Sequence, residues 1–320
     1  MADTAAWAVP PALDGERIDR VIALVTGLAR NQVNEMISAR MVSVAGRAMS
    51  QRSHRVRAGE KIRITGELPV AAEAASEAGP LAEIALVYVD DDLIVVDKPA
   101  GVVVHPGAGN ATGTLIQALV ARFADLSPLG VGDQAGRPGV VHRLDKGTSG
   151  LLVVARTEAA RESLAGQFAN RTVSRRYVAL VRGLIESDSG MIDAPLGRSQ
   201  RDPTRFTVVA GGREARTRYE VVARHVGPME SSELALSLET GRTHQIRVHV
   251  AAIGHPVVGD ARYGGRSGPF RGLLGPERFF LHADTLGFEH PSSRRRMEYT
   301  SPIPGDLVEA LGKVRQAGDG

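Results

Sequence analysis

The chain has 320 residues, 43% of them hydrophobic and 23% charged, and contains no cysteine. That length supports a large core and points to two domains, while the missing Cys excludes disulfides, zinc–thiolate sites and thiol catalysis. The net charge of +3 hides a skew, because four of the 39 basic residues are Lys and the rest Arg; Arg offers a planar fork for phosphates and stacks on bases, although codon bias in a GC-rich genome accounts for much of the preference.

Residues 14–68 read as a small separate module. Ile18, Val21, Ile22 and Val25 recur at helical spacing within 17–25, and Val33, Met36 and Ile37 line one face of a second helix over 30–39. Residues 41–47 and 61–65 alternate like half-buried strands. From Arg40 to Arg63 there are seven basic residues and one acid, the electrostatic footprint of a nucleic-acid backbone, though such a run is usually only a solvated face. Residues 69–80 are Ala- and Glu-rich between two prolines and read as a linker.

The larger domain, 81–315, opens with a hairpin: a strand over 84–89, an acidic turn at Asp90–Asp92, and a strand over 93–97. Asp97-Lys-Pro-Ala-Gly-Val-Val-Val-His-Pro-Gly-Ala-Gly-Asn follows. Its glycines fit neither a Walker pattern nor a dinucleotide fingerprint, so no nucleotide cofactor is expected. A helix is predicted over 114–123, and an amphipathic one over 157–169 with Ala160, Leu164 and Phe168 inward. Residues 171–182 form a strand carrying four Arg and no acid, and 198–224 holds seven Arg against three acids. A last helix ends near Val314. The N-terminal stretch has no basic region before an apolar run, and nothing approaches the roughly 18 apolar residues of a membrane span. The expectation is a soluble, cytoplasmic protein with no membrane partner.

Asp145 stands out. It is the one carboxylate between Gln134 and Thr157, set among Arg137, His142, Arg143, Lys146 and Arg156, and cationic neighbours favour its ionised form. Val140 and Val141 precede it, and Gly147–Gly150 supply a turn before a buried strand over 151–155. Asp145 therefore sits on a loop between buried segments, where scaffolds often present catalytic groups. On local chemistry alone the plainer reading, an Asp that caps a turn and pairs with an Arg, stands ahead. Downstream, Leu238-Glu-Thr-Gly-Arg-Thr-His-Gln-Ile-Arg-Val-His leads into an alternation of Ile246, Val248 and Val250. It reads as a strand with Gln245, Arg247 and His249 on the opposite face. If that polar face meets the Asp145 loop, Arg247 pairs with Asp145. His244, His249 and Asp260 lack a metal-binding spacing, and no metal is expected.

His-Arg-Leu-Asp at 142–145, Arg-Arg-Tyr-Val-Ala-Leu-Val at 175–181 and the Thr-Gly-Arg-Thr-His-Gln-Ile-Arg segment at 240–247 occur in the order of the signatures of a known family. The chain resembles the RluA family of pseudouridine synthases, which act on large-subunit ribosomal RNA and some tRNAs. Lys98-Pro-Ala-Gly, His105-Pro-Gly-Ala-Gly and Gly254-His-Pro-Val-Val-Gly-Asp-Ala-Arg-Tyr-Gly-Gly are further matches. The His105 stretch is closest to the type that modifies a large-subunit stem-loop at the subunit interface. Gly147 departs from the pattern, since many members have Asp there. Residues 14–68 resemble an S4 RNA-binding domain.

The resemblance implies an α+β protein: an S4-like module, then a catalytic domain with a mixed, mostly antiparallel sheet and flanking helices. It implies that Asp145 acts on the ribose of a uridine, either attacking C1′ or removing the C2′ proton, and that Arg247 pairs with it. Tyr177, by default a packed strand tyrosine, would lie against the uracil. Arg143, whose plainer role is another partner for Asp145, would fill the gap left by a flipped base. His142, Arg242, His244 and Gln245 join it as RNA-binding residues. Arg30, Gln32, Arg40, Arg52 and Arg55 are the residues of the S4-like module implied to touch RNA. The implied reaction isomerises uridine to pseudouridine in 23S rRNA without any cofactor, on free RNA or a pre-ribosomal particle; a monomer is the default expectation. A second class, a non-catalytic S4-type RNA-binding or ribosome-assembly factor, suits the basic surface but has no need for Asp145, Tyr177 and Arg247 together. A hydrolase or nuclease using His and Asp lacks both a metal constellation and a nucleophile–base motif.

Overall fold

The computed structural model describes residues 3–9, 13–26, 30–65, 84–106, 112–123, 125–126 and 137–318. The linker read at 69–80, the glycines that follow Pro106 and the side chains of Arg30 and Gln32 lie outside the described residues. The chain divides into two units, residues 1–79 with 106–113, and 80–105 with 114–320.

The first unit comprises β1 (Asp3–Ala8), α1 (Ile18–Thr26), α2 (Arg30–Ser38), β2 (Val42–Val44), β3 (Arg47–Ala48) and β4 (Lys61–Thr65). Its strands form an antiparallel sheet in the order β1-β4-β2-β3. Ile18, Val21 and Ile22 of α1 meet Val33, Met36 and Ile37 of α2 over Val42, Val44, Ile62 and Ile64 of the sheet. The helical spacing is thereby accounted for, except that Val25 is 43% exposed. The chain leaves α2 through Arg40 at φ 58°. Arg40 N–H donates to Ile37 O (3.1 Å) and Met41 N–H to Met36 O (2.9 Å), the paired bonds of a Schellman stop. Strand β1 has no counterpart among the predicted elements. Three of its six residues are Ala, which is depleted in strands; its pairing with β4 makes it a strand.

The second unit runs β5 (Ala85–Val89), β6 (Leu93–Lys98), α3 (Leu115–Arg122), β7 (Ser149–Ala155), α4 (Glu158–Ala169), β8 (Ser174–Arg182), β9 (Ser189–Asp193), β10 (Leu196–Arg198), β11 (Phe206–Val208), β12 (Arg216–His225), β13 (Ser231–Leu238), α5 (Gln245–Ala252), β14 (Leu281–Glu289), β15 (Arg296–Thr300) and α6 (Gly305–Gly318). Nine strands make one sheet in the order β5-β6-β7-β14-β8-β13-β12-β9, with β15 added beside β14. Among these pairs β7–β14 is parallel and the others antiparallel. The fold is α+β with a mixed, mostly antiparallel sheet flanked by helices, as the sequence implied.

Strand β7 is buried along its whole length, which explains its unbroken apolar run. Leu152 and Val154 face a core shared with α3 and α5, while Leu151, Val153 and Ala155 face Ala160 and Leu164 of α4. At its start Gly150 has φ 115°, and a Cβ there would sit 2.2 Å from Ala283 O. Only Gly lets β7 approach β14 this closely.

One expectation is overturned. Residues 245–252 form helix α5, not a strand, and Gln245 through Val250 are all buried. An i, i+2, i+4 alternation is compatible with a helix when two of its sides are covered. Ile246 and Val250, one turn apart, enter the central core, while Val248 on another side packs with Leu196 and Ala215. A helix buried all round carries no amphipathic stripe to read.

Candidate active site

The loop from His142 to Thr148 hangs between an isolated bridge at Val140 and strand β7. Leu144 anchors it in the core, and Thr148 N–H donates to Asp145 O (3.1 Å). Lys98, at the end of β6, is fully buried beneath it. Its ammonium donates to the carbonyls of Pro99 (2.8 Å), Val102 (2.9 Å) and Lys146 (3.4 Å). Burial pushes the Lys98 pKa down to about 7 against the opposing pull of Asp145.

Helix α5 brings Arg247 to this loop. Its Nη1 donates to Asp145 Oδ2 at 2.9 Å, while Nε and Nη2 fork onto the two oxygens of Asp260 at 2.6 and 3.0 Å. The three side chains are 7%, 15% and 1% exposed, for Arg247, Asp145 and Asp260. The guanidinium also lies over the rings of Phe279 (4.3 Å) and Tyr263 (5.1 Å). Burial works to raise the Asp145 pKa, but nearby His244, the charge and hydrogen bond of Arg247, and Arg143 outweigh it, and the carboxyl titrates below its usual range. Asp145 is an anion at neutral pH.

Asp145 and Arg247 line a cleft of about 600 Å³ together with Tyr177 of β8 and the side chains of Arg137, Arg143, Arg171, Arg175 and Arg242. Tyr177 is 7% exposed, and burial pushes its phenol pKa up. Arg175 lies over Phe168 (5.3 Å) and donates to Leu238 O (3.3 Å). It has no carboxylate partner among the described residues, and burial lowers its pKa. Arg242 donates from Nε to Glu214 O (3.0 Å).

His244 caps the start of α5 in a left-handed conformation, φ 58°, ψ 22°. Tyr263 Oη accepts Phe206 N–H (3.2 Å) and lies 2.8 Å from His244 Nδ1. The phenol proton is thus free to go to Nδ1, which leaves the His244 proton on Nε2. Two other residues singled out in the sequence are committed within the protein. His142 stacks on Phe168 at 4.6 Å, and its Nε2 accepts Val153 N–H (3.0 Å). Burial, aided by Arg175, pushes its pKa down to about 3. The Gln245 amide is spent on Thr240, Arg242, Arg216 and Thr217. In the other unit Arg40, Arg52 and Arg55 are exposed, and Arg55 donates to Gly15 O (2.7 Å).

Two members of this constellation escape sequence reasoning. In the sequence Lys98 is only part of a matching stretch, and Asp260 only part of another and a rejected metal ligand. Their signals are a Lys at the end of an apolar strand and an Asp inside a Gly-rich turn. His249 goes to Thr217 and Ala194 O, so His244, His249 and Asp260 serve three different places. Among the described residues no cluster of three His, Asp or Glu side chains could hold a metal ion, and no helix is long and apolar enough to cross a membrane.

The RNA pseudouridylate synthase family matches the chain over residues 92–252. The ribosomal large subunit pseudouridine synthase D of Nitrosomonas europaea is 43% identical over 313 residues, 96% of this chain and 87% of that protein. The chain belongs to the RNA pseudouridylate synthase family. It is an RNA pseudouridine synthase, an isomerase. A second relative, the uncharacterized RNA pseudouridine synthase YlyB of Bacillus subtilis, is 40% identical over 95% of both chains. The solved human RNA pseudouridylate synthase domain containing 1 superposes with a TM-score of 0.56 at 32% identity, covering 71% of this synthase and 86% of the human chain. Asp145, Tyr177 and Arg247 all fall inside the segment that matches the family; Asp260 lies eight residues beyond it.

Proposed function

We propose that this synthase converts uridine to pseudouridine in large-subunit (23S) ribosomal RNA, with Asp145 as the group that acts on the ribose. The observation that carries the assignment is the 2.9 Å ion pair between Asp145 and Arg247 within a cleft whose lining includes five further Arg side chains. Pseudouridine formation breaks N1–C1′, turns the uracil and joins C5 to C1′; the C5 proton leaves and N1 regains one, so no redox partner is consumed. Either attack on C1′ or removal of the C2′ proton needs an ionised, oriented carboxylate, and Arg247 supplies both charge and direction.

A base stacked in RNA cannot reach Asp145, so the uridine must be flipped out at a cost of a few kcal/mol. Exposed Arg143 is the residue to occupy the vacated stack. Tyr177 lies against the flipped uracil in this reading, and Arg137, Arg171, Arg175 and Arg242, which line the same cleft, meet phosphates. The large-subunit target is supported by relatives named ribosomal large subunit pseudouridine synthase D, which also fit the His105-Pro-Gly-Ala-Gly resemblance. The first unit, two helices on a small sheet, serves as an S4-type RNA-binding module that meets RNA through Arg40, Arg52 and Arg55; the protein works as a cytoplasmic monomer.

The test uses large-subunit rRNA transcripts carrying tritium at uridine C5, and reads tritium release. Wild type releases label to a plateau set by a few sites, and Asp145→Asn binds the same RNA but is slower by at least about 10²- to 10⁴-fold, the usual worth of a catalytic proton-transfer group. Release from tRNA but not from rRNA transcripts would move the substrate class while leaving the chemistry in place.

A further inference from the structure

One guanidinium serves two buried carboxylates here, and unequally. Asp260 receives two hydrogen bonds from Arg247 and Asp145 receives one. Asp260 cannot drift toward a different geometry. Its Oδ1 also accepts Arg262 N–H (3.0 Å) and Tyr263 N–H (3.3 Å), and its carbonyl accepts Gly265 N–H (2.8 Å). That turn is closed so tightly that a Cβ on Gly265 would lie 1.6 Å from Val257 O. The Asp260 end of the triad is therefore fixed by backbone, and Arg247 inherits that fixity.

Burying a carboxylate at 1% exposure is costly. A neutral acceptor such as an amide or a backbone carbonyl could hold Arg247 in place without that cost. What a carboxylate adds is charge. A guanidinium fully devoted to Asp145 would hold that carboxylate in a tight, unreactive ion pair; one already neutralised by Asp260 directs Asp145 through a single bond and leaves its other oxygen available.

We propose that Asp260 is a positioning residue for catalysis, which locks Arg247 in a fork and offsets its charge so that Asp145 is oriented without being quenched. This rests on Asp145 being the group that acts on the ribose. It assigns to the Gly-Asp-Ala-Arg-Tyr turn a part in turnover and not in RNA binding.

The experiment compares Asp260→Asn and Asp260→Glu in the full-length protein, measuring kcat and KM on the rRNA substrate, RNA affinity and thermal melting. Asn matches Asp in shape but lacks its charge and, with one acceptor oxygen, cannot take both hydrogen bonds of the Arg247 fork, whereas Glu keeps the charge and strains the shape. Charge-sharing expects Asn to lose roughly 10²-fold in kcat, the scale of a misoriented catalytic group, with KM and RNA affinity within about twofold of wild type. Glu is then expected to retain more kcat than Asn. A merely structural role lowers the melting temperature of Asn but leaves its kcat at or above that of Glu, and that order would overturn the proposal. Should Asn fail to fold, Glu decides alone: kcat within about tenfold of wild type supports the proposal, and a loss as deep as that of Asp145→Asn contradicts it. Wild-type turnover by Asp145→Asn would instead remove the underlying assignment, whatever the Asp260 variants do.

Discussion

Arg247 is held by two acids, and taking it away is worse than never having placed it there. Arg247→Ala would leave Asp145 and Asp260 facing each other without a counter-charge, and breaking a buried ion pair from one side costs about 3–5 kcal/mol. Urea unfolding should show that loss, together with loss of turnover. Arg247→Lys should recover little, because an ammonium cannot fork onto Asp260 and reach Asp145 at once. A stable, active Lys variant would mean that charge alone suffices.

His142 gives a second expectation at this scale. Its folded pKa of about 3 lies below the unfolded value near 6.5, so the unfolded chain binds the extra proton first as pH falls. The stability His142 contributes is complete above about pH 6.5 and is lost progressively toward about pH 3. His142→Gln, which can still accept Val153 N–H and does not titrate, should flatten the pH dependence of unfolding across that same window. An unchanged profile would place the acid sensitivity elsewhere.

Among the elements, the β7–β14 pairing is the most exacting. Gly150→Ala adds a Cβ against Ala283 backbone at a φ that favours Gly, and should destabilise by about 2–4 kcal/mol. Calorimetry would register this as a drop in melting temperature, with activity falling in step because the Asp145 loop feeds directly into β7. The same elements show what a sequence can and cannot disclose. Strand β5, α1, α2 and α4 each have one wet and one dry side, so their periods are plain, while β6, buried on both faces, shows as an unbroken apolar run. Helix α5 has no wet side, and its alternation passes for a strand. Strand β1 exists through pairing and not through propensity. At the site, local chemistry alone ranks Asp145 as a turn cap. The order of three motifs, and not any one residue, brings Asp145, Tyr177 and Arg247 forward as a set. Lys98 and Asp260 stay hidden because their importance is their burial beside Asp145 and Arg247, which no spacing announces.

For the whole molecule, the two units invite separate tests. If the first unit tracks RNA backbone, removing residues 1–79 should weaken rRNA binding and make log affinity less steep against log salt, by roughly one unit for each phosphate no longer neutralised. Charge reversal at Arg40, Arg52 and Arg55 in the intact protein should do the same without touching single-turnover chemistry. Unchanged affinity and slope in that triple variant would remove the module from RNA recognition.

The central claim is that Asp145 makes pseudouridine in large-subunit rRNA. Carbodiimide-dependent primer extension of that RNA tests it most directly, comparing a strain lacking the protein with strains restored by wild type or by Asp145→Asn. Specific stops should vanish in the deletion and return with wild type alone. An unchanged map in the deletion would contradict the large-subunit target, and stops restored by Asp145→Asn would contradict the catalytic assignment.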